Sequence, residues 1–312
     1  MAPVNSGAPA RVQGSALAAP VLALLFNAFT WGVSWWPFRH LQAHGVHPLW
    51  TTALCYLLVS AVLGLRRPGA LRDVLRTPTL WVLVLASGCT NAAFNWGVTT
   101  GDVVRVVLLF YLMPLWTLLL ARWLLQEPLQ HGVLLRAALA LGGALVVLWP
   151  SDGGWPLPRQ LSDWLGLIGG LSFALNNVML RRESHRHADA RALAMFCGGA
   201  VIGGAAALVG ATAGVAAPLW SSAAAWGVPL GLLALWFMGS NLALQYGAAR
   251  LRASTTSVVM VSEVLFASVS AVWLGAATLT AASLVGGALI AAAALLAAWQ
   301  EGRAGGSSAP NV

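Results

Sequence analysis

Ten stretches of mostly apolar residues divide this chain, each close to the twenty or so that a helix needs to cross a bilayer. They fall at 17–38, 46–65, 79–99, 103–125, 132–149, 161–181, 190–212, 226–249, 253–274 and 281–300. The apolar runs are continuous rather than alternating, which favours helices over a membrane barrel, because a helix satisfies its own backbone hydrogen bonds. Composition agrees: 59% of the 312 residues are hydrophobic and 8% charged, with a mean hydropathy of +0.77, too apolar for a water-soluble domain. The expectation is an all-α polytopic membrane protein with ten transmembrane helices. Residues 1–16 and 301–312, rich in small residues, read as disordered ends. The segment 151–160 reads as a loop between two halves, 17–150 and 161–300. The first apolar run lacks a small-residue cleavage site and is read as helix one, not as a signal peptide.

Seventeen arginines and no lysine set the orientation. Ten crossings put both termini on one side, which then carries fourteen of the arginines, against Arg39, Arg105 and Arg159 on the other. Positive charge collects in cytoplasmic loops, so both termini are expected in the cytoplasm. The net charge of +8 is thereby explained without a nucleic-acid partner. Arginine in place of lysine suggests a GC-rich bacterial genome, and with it the inner membrane.

The chain also repeats itself. Thr90-Asn91-Ala92-Ala93-Phe94-Asn95-Trp96-Gly97 aligns with Ser240-Asn241-Leu242-Ala243-Leu244-Gln245-Tyr246-Gly247 at an offset of 150, keeping a polar pair at i and i+4, an aromatic and a glycine. At an offset of 142, Thr30-Trp31-Gly32-Val33-Ser34 lies over Ser172-Phe173-Ala174-Leu175-Asn176. At 150 again, Met113-Pro114-Leu115-Trp116 lies over Glu263-Val264-Leu265-Phe266, and Trp123 over Trp273. Five segments per copy invert the second copy, giving two inverted five-helix repeats, an arrangement of secondary transporters.

On these residues the chain resembles the drug/metabolite transporter superfamily, specifically proteins with two EamA domains, over residues 17 to 300. The resemblance is carried by Phe29-Thr30-Trp31-Gly32, Leu112-Met113-Pro114-Leu115, Leu125-Gln126-Glu127 and Ser262-Glu263-Val264-Leu265. It implies a basket whose central cavity is walled by helices one, three, four, six, eight and nine, with helices five and ten peripheral. It also implies export or exchange of small metabolites, commonly amino acids. The chain departs from the pattern at Gly275-Ala276-Ala277, which lacks the acid that Glu127 supplies in the first half.

Polar residues inside membrane helices tend to face an interior or a wet cavity. Asn91 and Asn95, with Asn241 and Gln245, are expected either as matching cavity walls that recognise substrate through amides or as interhelical bonds worth about 1 kcal/mol or less. Asn27, Thr30 and Ser34 make a stripe on helix one beside Trp31 and Trp35, and helix six adds Asn176, the repeat equivalent of Ser34, and Asn177, so both helices have a polar side to present. Eight tryptophans near segment ends read as an interfacial belt. Trp31, Trp96, Trp116, Trp236, Tyr111 and Tyr246 lie deeper, where rings can stack on an aromatic substrate or an ammonium group.

Arg105 either draws a substrate carboxylate or is neutralised by Asp102, three residues before it. Glu263 in helix nine either carries a proton or holds a structural network where helices four and nine cross. Pro114 marks either a hinge or a static bend. Gly166-x-x-x-Gly170 and Gly199-x-x-x-Gly203 mark close helix contacts.

Other chemistries find little footing. There is no H-E-x-x-H, G-x-S-x-G or Walker loop, so an intramembrane enzyme is the weaker reading and ATP hydrolysis is not expected. Cys55, Cys89 and Cys197 have no C-x-x-C spacing and read as packing residues. His40, His44 and His47 read as loop residues rather than a metal site. No cofactor is expected, and the partners are a small-molecule substrate and the bilayer, with oligomeric state open.

Overall fold

The computed structural model describes residues 10–126, 133–149, 157–216, 223–248, 259–260, 262–276 and 278–306. These residues are helical with no strand among them. The helices are α1 (Ala10–Val33), α2 (Trp35–Ala43), α3 (Pro48–Arg66), α4 (Pro68–Arg76), α5 (Pro78–Thr100), α6 (Val103–Phe110), α7 (Met113–Leu124), α8 (Val133–Leu148), α9 (Leu161–Arg182), α10 (Ala188–Thr212), α11 (Ala223–Ala248), α12 (Ser262–Trp273) and α13 (Ala281–Gly306). Helical backbone begins at Ala10, ahead of the expected start at 17.

Local chemistry sets many of these boundaries. Pro48, Pro68 and Pro78 occupy first helical positions, where the missing N–H costs nothing. The ring of His47 accepts from the Leu49 N–H at 3.3 Å to open α3, and Asp102 accepts from the Arg105 N–H at 2.9 Å to open α6. Two expected spans are broken. Helix one turns at Ser34, whose hydroxyl donates to the Trp31 carbonyl at 2.8 Å. Helix four turns at Tyr111 and Leu112, and Pro114 sits in the first turn of α7 rather than inside a continuous ladder. The bend therefore precedes the proline; the Pro114 side chain lies outside the described residues. The short α4 was not anticipated by the apolar pattern.

Among the described residues, five stretches are long and apolar enough to cross a membrane: Ala19–Ala43, Pro48–Arg66, Val103–Leu124, Ala188–Thr212 and Trp226–Leu244. Shorter apolar helices follow at Ser262–Trp273 and Ala281–Ala293. α5 and α9 carry too many Ser, Thr, Asn and Gly to stand among the five, and they pack extensively on each other. Outside, Leu22, Phe26, Leu57, Trp81, Leu85, Leu232, Leu235 and Val269 are exposed, a surface that hydrocarbon solvates and water does not. The fold is that of an all-helical polytopic membrane protein.

Packing partners come in matching sets. α1 lies against α11 and α12, while α9 lies against α5 and against α6 and α7. α3 pairs with α10, and α8 with α13. A Cβ on Gly97 would press on Leu165 and touch the Ser162 carbonyl of α9 at ordinary contact distance, and a Cβ on Gly247 would collide with Leu24 and the Pro20 carbonyl of α1. Gly166 and Gly170 seat α9 on the Val106 and Phe110 carbonyls of α6. Gly199 meets the Tyr56 ring and Gly203 approaches Thr52 and Ala53, so α10 closes on α3.

Candidate functional site

The polar stripe of helix one is spent on α11. Asn27 donates through Nδ2 to the Ser240 carbonyl at 3.0 Å and to its Oγ at 2.8 Å. Trp236 Nε1 donates to Thr30 Oγ1 at 2.8 Å. Ser34 closes the turn at the break, and Trp31 packs between Phe94 and Phe237 at centroid distances of 6.1 and 5.0 Å. Trp35 is buried, and its Nε1 donates to Ser270 Oγ of α12 at 3.0 Å.

Asn91 and Asn95 turn toward α3. Tyr56 donates to Asn91 Oδ1 at 2.5 Å, Asn91 Nδ2 donates to the Ser87 carbonyl at 2.7 Å, and Asn95 Nδ2 donates to Thr52 Oγ1 at 3.0 Å. The two amides thus make the interhelical bonds that the sequence offered as the other reading of the pair. Trp96 is half-buried beside the His47 ring, 5.5 Å away. Asn241 and Asn177 are half-buried, and the Gln245 side chain lies outside the described residues. Asn176 is buried on α9, and its Oδ1, with those of Asn27 and Asn95, has no hydrogen-bond partner among the described residues. A buried carbonyl oxygen left so is costly unless water or a bound donor reaches it.

The Asp102 carboxylate caps the Arg105 backbone N–H. The Arg105 guanidinium grips Asp163 at the start of α9 with Nε–Oδ1 2.6 Å and Nη2–Oδ2 3.1 Å. Asp163 is wholly buried and also accepts from the backbone N–H of Arg159 at 3.1 Å. At the same end of the bundle Arg39 donates to the Gly101 carbonyl at 2.6 Å and stacks over the Trp35 ring. α2, the α5–α6 connection, α6 and α9 are thereby tied together by charged groups. The sequence pairing missed Asp163 because its partner lies 58 positions away.

Midway along, Tyr111 stands in the break between α6 and α7. Its hydroxyl lies 2.8 Å from the Met260 carbonyl and 3.2 Å from Glu263 Oε2. Both side chains are buried, Tyr111 at 1% and Glu263 at 6% exposure. Gly32 of α1 abuts the Glu263 carbonyl and Phe266 from the far side, so the helix-one break and the helix-four break meet α12 together.

The three histidines do not converge. His40 lies in α2 and its ring is 4.5 Å from that of His44, whereas His47 caps α3. Among the described residues no cluster of three His, Cys, Asp or Glu could hold a metal. A cavity of about 490 Å³ opens beside Arg122, Trp123 and Gln126 near the C-terminal end of α7, and no expected substrate contact is among its described lining residues.

The helices and their buried polar bonds define a multi-pass membrane protein. Residues 18–149 match the model of the EamA-like transporter family. A solved structure described only as "Crystal structure of protein" aligns with 89% of this chain and 95% of its own, at 18% identity and a TM-score of 0.57. That likeness is one of fold, over most of the length of both chains. No curated protein sequence matches the chain.

Proposed function

We propose that this chain is a bacterial inner-membrane transporter of ten helices that exports or exchanges small metabolites, amino acids first among them, by rocking of two inverted halves about a central path. The transporter class is what the match over 18–149 supports. The inverted arrangement rests on one observation above all, the reciprocity of the packing. Gly97 and Gly247 are repeat equivalents at offset 150, and Ser162 and Pro20 at offset 142; each glycine abuts the carbonyl of the corresponding residue in the opposite half. A two-fold relation between the halves produces that pairing, and shared ancestry of sequence alone does not.

With both termini cytoplasmic, the Arg39–Gly101 and Arg105–Asp163 contacts lie at the outer end and close it. Alternating access then requires that these ties break when substrate is released outward. Substrate recognition falls to groups that an opening of the path would uncover: the buried Asn176 oxygen, which has no partner among the described residues and can accept from a substrate ammonium group, and aromatic faces near Trp31 and Trp236. Asn91 and Asn95 have less part in it, being engaged with α3.

The test is counterflow in proteoliposomes with labelled tryptophan, phenylalanine, threonine and an organic cation. Exchange of the aromatic amino acids without a pH gradient is the expected result. Movement of the cation alone would replace amino acids as the substrate class, and failure of every probe to move would count against transport of small metabolites.

A further inference from the structure

We propose that α4, the nine-residue helix between α3 and α5, is a docking site for an anionic phospholipid, with Leu71 and Leu75 set among the acyl chains and Arg72 and Arg76 holding the headgroup phosphate. The helix is set off from both neighbours. Arg67 and Thr77, which flank it, leave the helical region at φ −136°, ψ 68° and φ −113°, ψ 103°, and Pro68 and Pro78 prevent α3, α4 and α5 from running on as one rod.

Residues four apart share a face of a helix, which divides α4 into three stripes. Ala70 and Val74 are buried in a core cluster with Leu80 and Leu83 of α5, Met179 of α9 and Leu193 of α10. That packing fixes the roll of the helix. Leu71 and Leu75, about 100° further round, are 40% and 60% exposed. Arg72 and Arg76 come next, and both are exposed. An exposed leucine pair beside an arginine pair, on a helix whose opposite side is docked to the bundle, suits the boundary between acyl chains and headgroups rather than open water. Depth agrees with this. α3 is long and apolar enough to cross the membrane and ends at Arg66, just before α4. Trp81, in the first turn of α5, is 54% exposed and stands where aromatic anchors mark the interface.

Charge selects the headgroup. Asp189 is engaged by Arg67 at 3.4 Å and Glu183 by Arg186, whereas Arg66, Arg72 and Arg76 have no partner among the described residues. Asp73 lies past the arginine stripe, on the side away from the leucines. Side chains four apart on a helix start about 5–6 Å from one another, so the Arg72 and Arg76 guanidiniums can close on a single phosphate with charge-assisted hydrogen bonds. A zwitterionic headgroup brings its own cation to that spot, which the two arginines repel. The site therefore favours a lipid of net negative charge, such as phosphatidylglycerol. It needs only the multi-pass fold, and transport of any substrate plays no part in it.

Native mass spectrometry of the full chain in detergent, titrated with phosphatidylglycerol or with phosphatidylcholine of the same chain length, tests the site. The wild type is expected to retain phosphatidylglycerol in preference to phosphatidylcholine, and Arg72→Gln with Arg76→Gln to lower that preference about tenfold. Leu71→Ser with Leu75→Ser keeps the charge and is expected to weaken retention of phosphatidylglycerol severalfold. Arg181→Gln with Arg182→Gln removes as many exposed charges from the same end of the bundle and is expected to leave the preference as it was. The substituted side chains are all exposed, and size exclusion checks that each variant is folded. A wild type without preference, or a folded Arg72→Gln, Arg76→Gln protein that keeps it, overturns the proposal. Equal losses in the two arginine variants overturn it in favour of bulk charge, and displacement of bound phosphatidylglycerol by millimolar inorganic phosphate overturns it in favour of a free-anion site.

Discussion

Two single residues separate binding from structural roles. Asn91 holds Tyr56 of α3 and the Ser87 carbonyl of its own helix, and an interhelical bond in a membrane bundle contributes about 1 kcal/mol. Asn91→Ala is expected to lower thermal stability in detergent by roughly that amount and to leave tryptophan competition in counterflow unchanged; a selective loss of tryptophan affinity would return Asn91 to the substrate path. Glu183, just beyond α9, responds to acid. Burial works against its ionisation, but the Arg186 guanidinium 2.5 Å away, together with the Thr79 hydroxyl and His185, holds the carboxyl below the usual range. A depressed value stabilises the fold above the unfolded carboxylate pKa of about 4.3, and that contribution is lost as pH falls through the lower folded value. Wild-type protein should thus lose more melting temperature between pH 6 and acid conditions than Glu183→Gln, by thermal scans in detergent.

Helices meet where side chains are missing. A Cβ on Gly198 of α10 would collide with the Val84 carbonyl and crowd the Gly88 N–H of α5, so the two backbones must part to accept one. Gly198→Val is expected to cost about 3 kcal/mol and to yield little monodisperse protein. Gly142 of α8 has nothing within 4 Å of its Cβ position, and Gly142→Ala is expected to gain about 0.5–1 kcal/mol from helix propensity. Comparable losses from both would mean that glycine acts there through flexibility rather than close approach. The broken spans obey the same logic. At Ser34 and Tyr111 the backbone N–H groups are satisfied by local bonds three or four residues back, to the Trp31 and Val107 carbonyls. At the lipid boundary Trp123 and Trp273, paired by the repeat, are 77% and 84% exposed.

Across the whole molecule, the charged ties at one end set which way the proposed path opens. Asp163 is fully buried while Arg105 is 28% exposed at its side chain, so removing the carboxylate charge should cost about 2 kcal/mol, below the value for a fully buried pair. Asp163→Asn is expected to shift the population toward the outward-open form. With a cysteine at Val98, a buried position near that end of α5, labelling by an impermeant maleimide from outside should speed up severalfold in the Asp163→Asn background. An unchanged rate would leave the pair a static brace and move the gate elsewhere.

The membrane class was legible in the residues themselves, because the length and apolarity of a span are local properties that bilayer thickness fixes. So was the isolation of Glu263, since a lone acid in an apolar run is visible without knowing its neighbours. The partners were not. That Arg105 reaches Asp163, that Asn91 turns to Tyr56, and that the Tyr111 hydroxyl reaches Glu263 depend on contacts between residues 35 to 152 positions apart. Periodicity assigns a side chain to a face of its helix, but only tertiary packing decides what that face meets, and the free energy of a buried polar group lies in what it meets.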